Sequence, residues 1–294
     1  MGRYGVIDVG SNTIHLLVGK VENGGVMPVT GEKVSARLGA GVEKTGRIQD
    51  ERLELASEAI GMFARISALN GAPEPAILAT SAVRDAENGL ELNEKVAKLT
   101  GLNMRLISGE EEADLGFRGA ISAVGPSWEG PVLVVDLGGG SAQLIVGEPS
   151  SGPLMQVSLP LGTNRTTERF VEHDPSKRKE LRVLDEHVKE MMPGWGVSPR
   201  IRVLAVGGSA RAMLRITRDR LTLWRLRELA AEISERPSGE LARETGLSPE
   251  RSRVMPAAVT TLAAVLERFG KAELTVARGG IREGTILALA GGEL

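Results

Sequence analysis

Apolar residues open the chain in two short runs. The first covers 4–7 and stops at Asp8-Val9-Gly10-Ser11-Asn12-Thr13, and the second resumes over 14–18, a pattern that predicts two strands joined by a tight turn. Asn23-Gly24-Gly25 turns the chain again. From Asp50 the period changes: Leu53, Ala56, Ile60 and Phe63 recur at three and four residues, which predicts one face of a helix ending near Asn70-Gly71. A strand over 76–79 leads into Thr80-Ser81-Ala82-Val83-Arg84, followed by a helical stretch to Thr100-Gly101. A further strand over 104–107 precedes a helix from Ser108 to about Val124. Gly125-Pro126 and Gly130-Pro131 mark the expected linker between two domains, 1–124 and 125–294, with the last helix able to return to the first.

Beyond that linker the opening pattern recurs. Laid without gaps at an offset of 128 residues, VVDLGGGSAQLIVG (134–147) matches VIDVGSNTIHLLVG (6–19) at six of fourteen positions. Asp8 aligns with Asp136, Gly10 with Gly138, and Thr13 meets Ser141 as hydroxyl on hydroxyl. An acid, a glycine and a hydroxyl in register are not explained by two apolar strands alone, and an internal duplication is the reading.

Composition narrows the chemistry. With no cysteine, disulfide frameworks, thiolate metal sites and a Cys nucleophile are excluded. Basic and acidic residues nearly balance, at 36 against 38, and aromatics are 3% and scattered, so no nucleic-acid partner is expected. No apolar run is long enough to span a bilayer and no apolar leader precedes the first strand, so neither a membrane nor export is expected and the location is read as cytoplasmic.

Each duplicated unit pairs a strand-end carboxylate with glycines whose following amides can curl round an anion. The candidate phosphate-binding residues are Gly10, Ser11, Asn12 and Thr13 in the first copy and Gly138, Gly139, Gly140 and Ser141 in the second. A third turn, Gly207-Gly208-Ser209, follows a strand over 201–206 and lacks the acid, which suits binding only. Two such hairpins facing one another would surround a phosphate chain, with a divalent cation between it and Asp8 and Asp136. Neither a Walker A loop nor a Gly-x-Gly-x-x-Gly helix start occurs. The duplicated Asp-x-Gly hairpin is instead similar to that of the actin, sugar-kinase and heat-shock chaperone superfold, which implies two α/β domains around a central cleft.

Within that superfold the chain resembles the exopolyphosphatase and guanosine pentaphosphate phosphohydrolase (Ppx/GppA) family. The resemblance is carried in order by IDVGSNTIHLLV (7–18), RLGAGVEKTGRI (37–48), ATSAVRDAEN (79–88), ISGEEEADLGF (107–117), the second hairpin, SLPLGTNRTTE (158–168), VGGSAR (206–211) and GGIREG (279–284). It implies a metal-dependent hydrolase, with Mg²⁺ as the ion and Mn²⁺ as an option, acting on inorganic polyphosphate or guanosine pentaphosphate. It also leaves room for a homodimer. The water-activating carboxylate implied by the resemblance is Glu112. Ser108 with Glu111 makes a capping box and the helix dipole favours Glu110, but neither requires an acid at Glu112. Arg84 could place a guanidinium fork on phosphate oxygens. Gln143 stands where family members usually carry a Glu; an amide can bond a metal-bound water but cannot ionise, so a metal role there stays open and a non-catalytic polyphosphate or alarmone sensor is the competing class. Arg253 also departs from the family pattern, which more often has Asp. His15, His173 and His187 lack metal-ligand spacing, and the eight arginines between 200 and 227 are expected mainly on a solvated face, with a share in collecting a polyanion.

Overall fold

A computed structural model describes residues 2–125 and 128–294; Pro126 of the expected linker lies outside the described residues. The chain forms two compact units, one of Met1–Glu129 with Gln156–Ser158 and Gly279–Leu294, the other of Gly130–Met155 and Leu159–Arg278. The segment 279–294 is grouped with the first unit.

In the first unit, β1 (Tyr4–Val9), β2 (Ile14–Glu22) and β3 (Gly25–Val34) form an antiparallel meander, the third strand being one the turn at Asn23-Gly24 signals without its extent. A short α1 (Val42–Thr45) and the long α2 (Asp50–Leu69) lead to β4 (Ala76–Ala79), which lies parallel to β1. The helical stretch expected after it is two pieces, α3 (Ser81–Asp85) and α4 (Gly89–Thr100), because Asn88 turns its side chain to the backbone of Ile48 at 2.9 Å in both directions. β5 (Met104–Leu106) and α5 (Gly109–Val124) complete the run, giving a sheet ordered β3-β2-β1-β4-β5.

The second unit repeats the plan. β6 (Val132–Leu137), β7 (Ala142–Glu148) and β8 (Gly152–Leu159) form the meander, then α6 (Thr163–Phe170) and α7 (Arg178–Met191) precede β9 (Arg202–Val206), parallel to β6. α8 (Gly208–Thr217), β10 (Leu221–Thr222), α9 (Leu223–Ser234), α10 (Ser238–Thr245), α11 (Pro249–Arg268) and β11 (Glu273–Val276) follow, giving the order β10-β11-β9-β6-β7-β8. The last helix, α12 (Ile281–Gly291), packs in the first unit against α5 and β1.

Alternation along β1 decides which residues reach which face. Ile7 and Val9 join the core beneath α2 and α4, with Phe63, Leu92 and Ile77. Val6 packs on the opposite side with Leu17 and Ile286 of α12, and Asp8 therefore belongs to the face that α5 and α12 cover. The close approach of α5 and α12 rests on absent side chains. A Cβ on Gly119 would lie 1.9 Å from the Gly280 carbonyl oxygen, and one on Gly284 would lie 1.8 Å from that of Leu115, so GGIREG seats the helix that carries Glu112.

Candidate active site

The two Asp-x-Gly turns close identically. The Gly10 N–H donates to the Thr13 carbonyl at 3.3 Å, and the Gly138 N–H to that of Ser141 at 3.0 Å. Asp8 stands opposite His15 across its hairpin and Asp136 opposite Gln143, while Leu78 of β4 and Val206 of β9 flank the two acids on the parallel side. The offset of 128 residues therefore persists past the hairpins and also relates Ser81 to Ser209, each in the first turn of the helix after its strand. Gly207-Gly208-Ser209 is thus not an isolated third turn: its counterpart is Ala79-Thr80-Ser81, which the sequence comparison missed because no glycine marks it.

In both copies a neighbouring motif supplies donors to the turn's carbonyls. In the first unit Arg37 and Gly39 donate from the backbone to the Asn12 and Ser11 carbonyls at 2.9 and 2.8 Å. In the second, Thr163 and Asn164 donate to Gly138 and Gly139 at 2.9 and 2.8 Å, and Arg165 Nε to Gly140 at 3.0 Å. Gly162 permits that seating, since a Cβ there would lie 2.3 Å from the Gly140 carbonyl carbon. These contacts give RLGAG and LGTNR a shared physical role.

The buried hydroxyls of Ser11 and Ser81 meet at 3.0 Å. Arg84, at the end of α3, donates through Nη1 to the Ile107 carbonyl at 2.7 Å and lies 3.7 Å from Glu112 Oε2. The three-acid run is thereby divided by role. Glu110 is exposed. Glu111 closes the capping box, accepting from the Ser108 N–H at 2.8 Å, and this bond together with Arg105 holds its carboxyl below the usual carboxylate range despite some burial. Glu112 is the acid turned inward beside Arg84, its side chain 14% exposed.

In the second unit Gln143 is buried and its Nε2 donates to Ser141 Oγ at 2.9 Å. A hydroxyl carries a single proton, so a hydroxyl oxygen that accepts this amide keeps its own proton free to donate elsewhere. At the third turn Arg251, which the sequence pattern does not single out, donates through Nη1 to Ser209 Oγ at 2.9 Å, and its guanidinium packs so closely on Gly208 that a Cβ there would meet Nη2 at 2.8 Å. Burial and the neighbouring Arg211 lower the pKa of this guanidinium, a cationic pair at a helix start that suits an anion. Arg253, the other departure from pattern, serves the fold, because its Nη2 donates to the Val171 carbonyl at 2.7 Å and caps the end of α6.

Three of the eight arginines between 200 and 227 are held in ion pairs. Arg220 pairs with Glu273, Arg225 with Glu228 and Glu232, and Arg227 with Asp185 and Glu267. His173 sits between Glu180 at 2.6 Å and the Lys177 ammonium at 2.6 Å, so the Glu172, His173 and Glu180 group, the one trio of potential ligands gathered among the described residues, already holds a cation of its own. Neither Asp8 nor Asp136 belongs to such a trio.

Residues 17–293 match the model of the Ppx/GppA phosphatase family. The chain belongs to that family. Among its curated relatives, Exopolyphosphatase 1 of Mycobacterium tuberculosis is 31% identical, over 97% of this chain and 87% of the relative. Among solved structures, an exopolyphosphatase from Cytophaga hutchinsonii superposes with a TM-score of 0.89 at 25% identity, covering 99% of this chain and 98% of that one. The Aquifex aeolicus PPX-GPPA enzyme gives 0.82 at 25% identity, covering 98% and 99%. The Ppx/GppA architecture is the two-domain α/β class that the duplicated hairpin implied, and the family assignment makes the chain a phosphoanhydride hydrolase.

Proposed function

We propose that this Ppx/GppA member is an exopolyphosphatase that removes terminal orthophosphate from inorganic polyphosphate. The observation that carries the reading is the position of Glu112: of three consecutive acids it is the one relieved of capping and set 3.7 Å from Arg84. A carboxylate in that position can take the proton of a water attacking the terminal phosphorus. The named exopolyphosphatases among the relatives support polyphosphate as substrate, and no observation favours guanosine pentaphosphate over it.

In this reading Glu112 accepts the proton as the water oxygen bonds to the terminal phosphorus. The bond from that phosphorus to the bridging oxygen breaks, and the shortened chain leaves with the electron pair. Arg84 orients Glu112 and faces phosphate oxygens with its remaining donors. The turn amides after Gly10 and Gly138, with Ser11, Thr13, Ser141, Gly207, Gly208 and Ser209, receive phosphate oxygens, and Arg251 adds charge at the third turn. Asp8 and Asp136 are half-buried strand-end carboxylates, one per copy, and each can offer an oxygen to Mg²⁺ or Mn²⁺ carried largely by water and substrate oxygens rather than by an all-protein cage. Bound there, the cation neutralises charge on the phosphate oxygens.

Phosphate release from polyphosphate, with guanosine pentaphosphate beside it and with Mg²⁺ present or chelated, tests the assignment. Glu112→Gln should lower turnover by about 10²-fold or more while polyphosphate binding persists. Near-normal turnover would move the base elsewhere, and binding without hydrolysis in the unaltered protein would make it a sensor. No helix among the described residues is long and apolar enough to cross a membrane, which supports the cytoplasmic placement that fractionation would check.

A further inference from the structure

His15 has no part in the proposed hydrolysis, yet the fold sets it beside one of the two strand-end acids. On the face of the first sheet that packs against α12, β1 and β2 present successive rows: Val6 with Leu17, then Asp8 with His15, then Gly10 with Thr13 at the turn. The first row is buried against Ile286 of α12, and the last closes the phosphate loop. The middle row is thus polar where the apolar face ends. Directly opposed side chains of an antiparallel pair share one face, with Cβ atoms about 4.5–5.5 Å apart, a spacing that brings an imidazole and a carboxylate within hydrogen-bonding reach. On its other side Asp8 meets Leu78, which is buried with Ile107, Leu115 and Ala288 and has no donor to offer.

The second copy repeats these rows as Val134 with Ile145, Asp136 with Gln143, and Gly138 with Ser141. The offset of 128 residues that relates the two acids therefore relates His15 to Gln143 as well. The two side chains differ in shape and share a chemistry. A neutral imidazole carries one N–H in either tautomer, and a glutamine amide carries two. The duplication has kept a nitrogen donor opposite each acid while the residue type changed. Stability alone does not ask for this, since apolar residues of similar volume in place of a buried charged pair are often neutral or stabilising. We infer that His15 is a positioning residue: its ring N–H holds one oxygen of the Asp8 carboxylate and so fixes the direction in which the other oxygen meets the bound cation. The inference rests on the reading of Asp8 as a metal ligand. Partners of this kind, one bond removed from the metal, typically contribute about 10- to 100-fold to its affinity.

In isotope-labelled, metal-free protein, NMR should show one slowly exchanging ring N–H from His15, and Asp8→Ala should abolish it. Mn²⁺ titrated into substrate-free protein, followed through the EPR signal of the free ion, should bind His15→Leu about tenfold more weakly, with the melting temperature unchanged or raised. His15→Gln, which copies the second hairpin, should recover most of that affinity. On an Asp8→Asn background His15→Leu should add little further loss, because both changes act on one carboxylate. Mg²⁺ saturation of phosphate release should shift in the same order across the variants. A His15 ring N–H that exchanges freely overturns the inference. So does a His15→Gln protein as weak as His15→Leu, or a His15→Leu loss that persists in full on the Asp8→Asn background, which would assign the effect to the loop at Thr13. If Asp8→Asn weakens Mn²⁺ and His15→Leu does not, this inference alone falls; if Asp8→Asn leaves Mn²⁺ affinity unchanged, the reading of Asp8 as a ligand falls and takes this one with it.

Discussion

Replacing Gln143 by Glu changes one atom's chemistry at a buried position and should reverse the polarity of the second phosphate loop. Gln143 now donates to Ser141 Oγ at 2.9 Å, leaving the serine proton for a phosphate oxygen. An ionised carboxylate can only accept, so the Ser141 proton would turn toward it and the loop would lose a donor to a charged ligand. A hydrogen bond to a charged group contributes about 1.5–3 kcal/mol, which is about 10- to 150-fold in affinity. The introduced acid is also buried and stands opposite Asp136 in the hairpin, and both conditions favour its neutral form. The protonated acid can donate to Ser141 as the amide does. The loss should therefore be small at low pH and deepen as pH rises through the raised pKa of the new group. Titrating polyphosphate into the Glu112→Gln protein, with and without Gln143→Glu, at several pH values measures this without turnover. On a Ser141→Ala background the change at Gln143 should cost much less. Tighter binding in the Gln143→Glu protein, or saturation at lower Mg²⁺, would refute the reasoning and identify the position as a metal ligand that the amide impairs.

Other expectations follow from the same geometry. Arg251→Met should raise the KM for polyphosphate about tenfold or more with a smaller effect on kcat, since it removes charge at the third turn and leaves Glu112 in place; equal losses in kcat and kcat/KM would place Arg251 in the transition state instead. Asp8→Asn and Asp136→Asn should each shift Mg²⁺ saturation of phosphate release to higher concentration, and an unchanged curve would reduce these acids to turn formers. Gly284→Ala should cost about 2–4 kcal/mol of stability in urea titration, because its Cβ would meet backbone that has no room to move; an unaltered midpoint would mean α12 can lift from α5 freely. His187 is held below its ordinary pKa by burial and then by Arg169, so the unfolded chain takes up a proton first as pH falls below about 6.5 and stability declines there. His187→Phe should flatten that slope, and a slope that persists would assign it to other groups.

The hairpins, α2 and the capping box at Ser108 were legible because their signals are local: alternation, a three-four period, and an N-cap with its Glu three residues on. The split between α3 and α4 was not, since it depends on Asn88 bonding to Ile48, forty positions away in the chain. Gly-rich motifs announced that something must approach closely, yet only the fold says what. Gly162 admits the 139–140 backbone, and Gly119 admits Gly280. Ser81 and Arg251 escaped notice for the same reason, for each acquires its meaning from a partner distant in sequence, Ser11 in one case and Ser209 in the other. Arg253 looked anomalous against the family pattern only while the carbonyls at the end of α6 were out of view.

The duplication also explains why the chemistry is asymmetric. Both copies retain the strand-end acid, the amide turn and a serine at the start of the next helix, the parts that hold phosphate oxygens and a cation in the proposed mechanism. What surrounds that serine differs. In the first unit Ser81 bonds to a neutral hydroxyl, and the nearby guanidinium, Arg84, is committed to Glu112 and the Ile107 carbonyl. In the second unit Ser209 is bonded by Arg251, whose pKa is lowered by burial and by the neighbouring Arg211. A carboxylate that must accept a proton gains from an ordering cation and would be hindered by a second acid; a loop that gathers a polyanion gains from a guanidinium whose charge no carboxylate offsets. In the proposed mechanism the first copy therefore supplies the carboxylate that activates water, and the second the cationic loop that retains the chain.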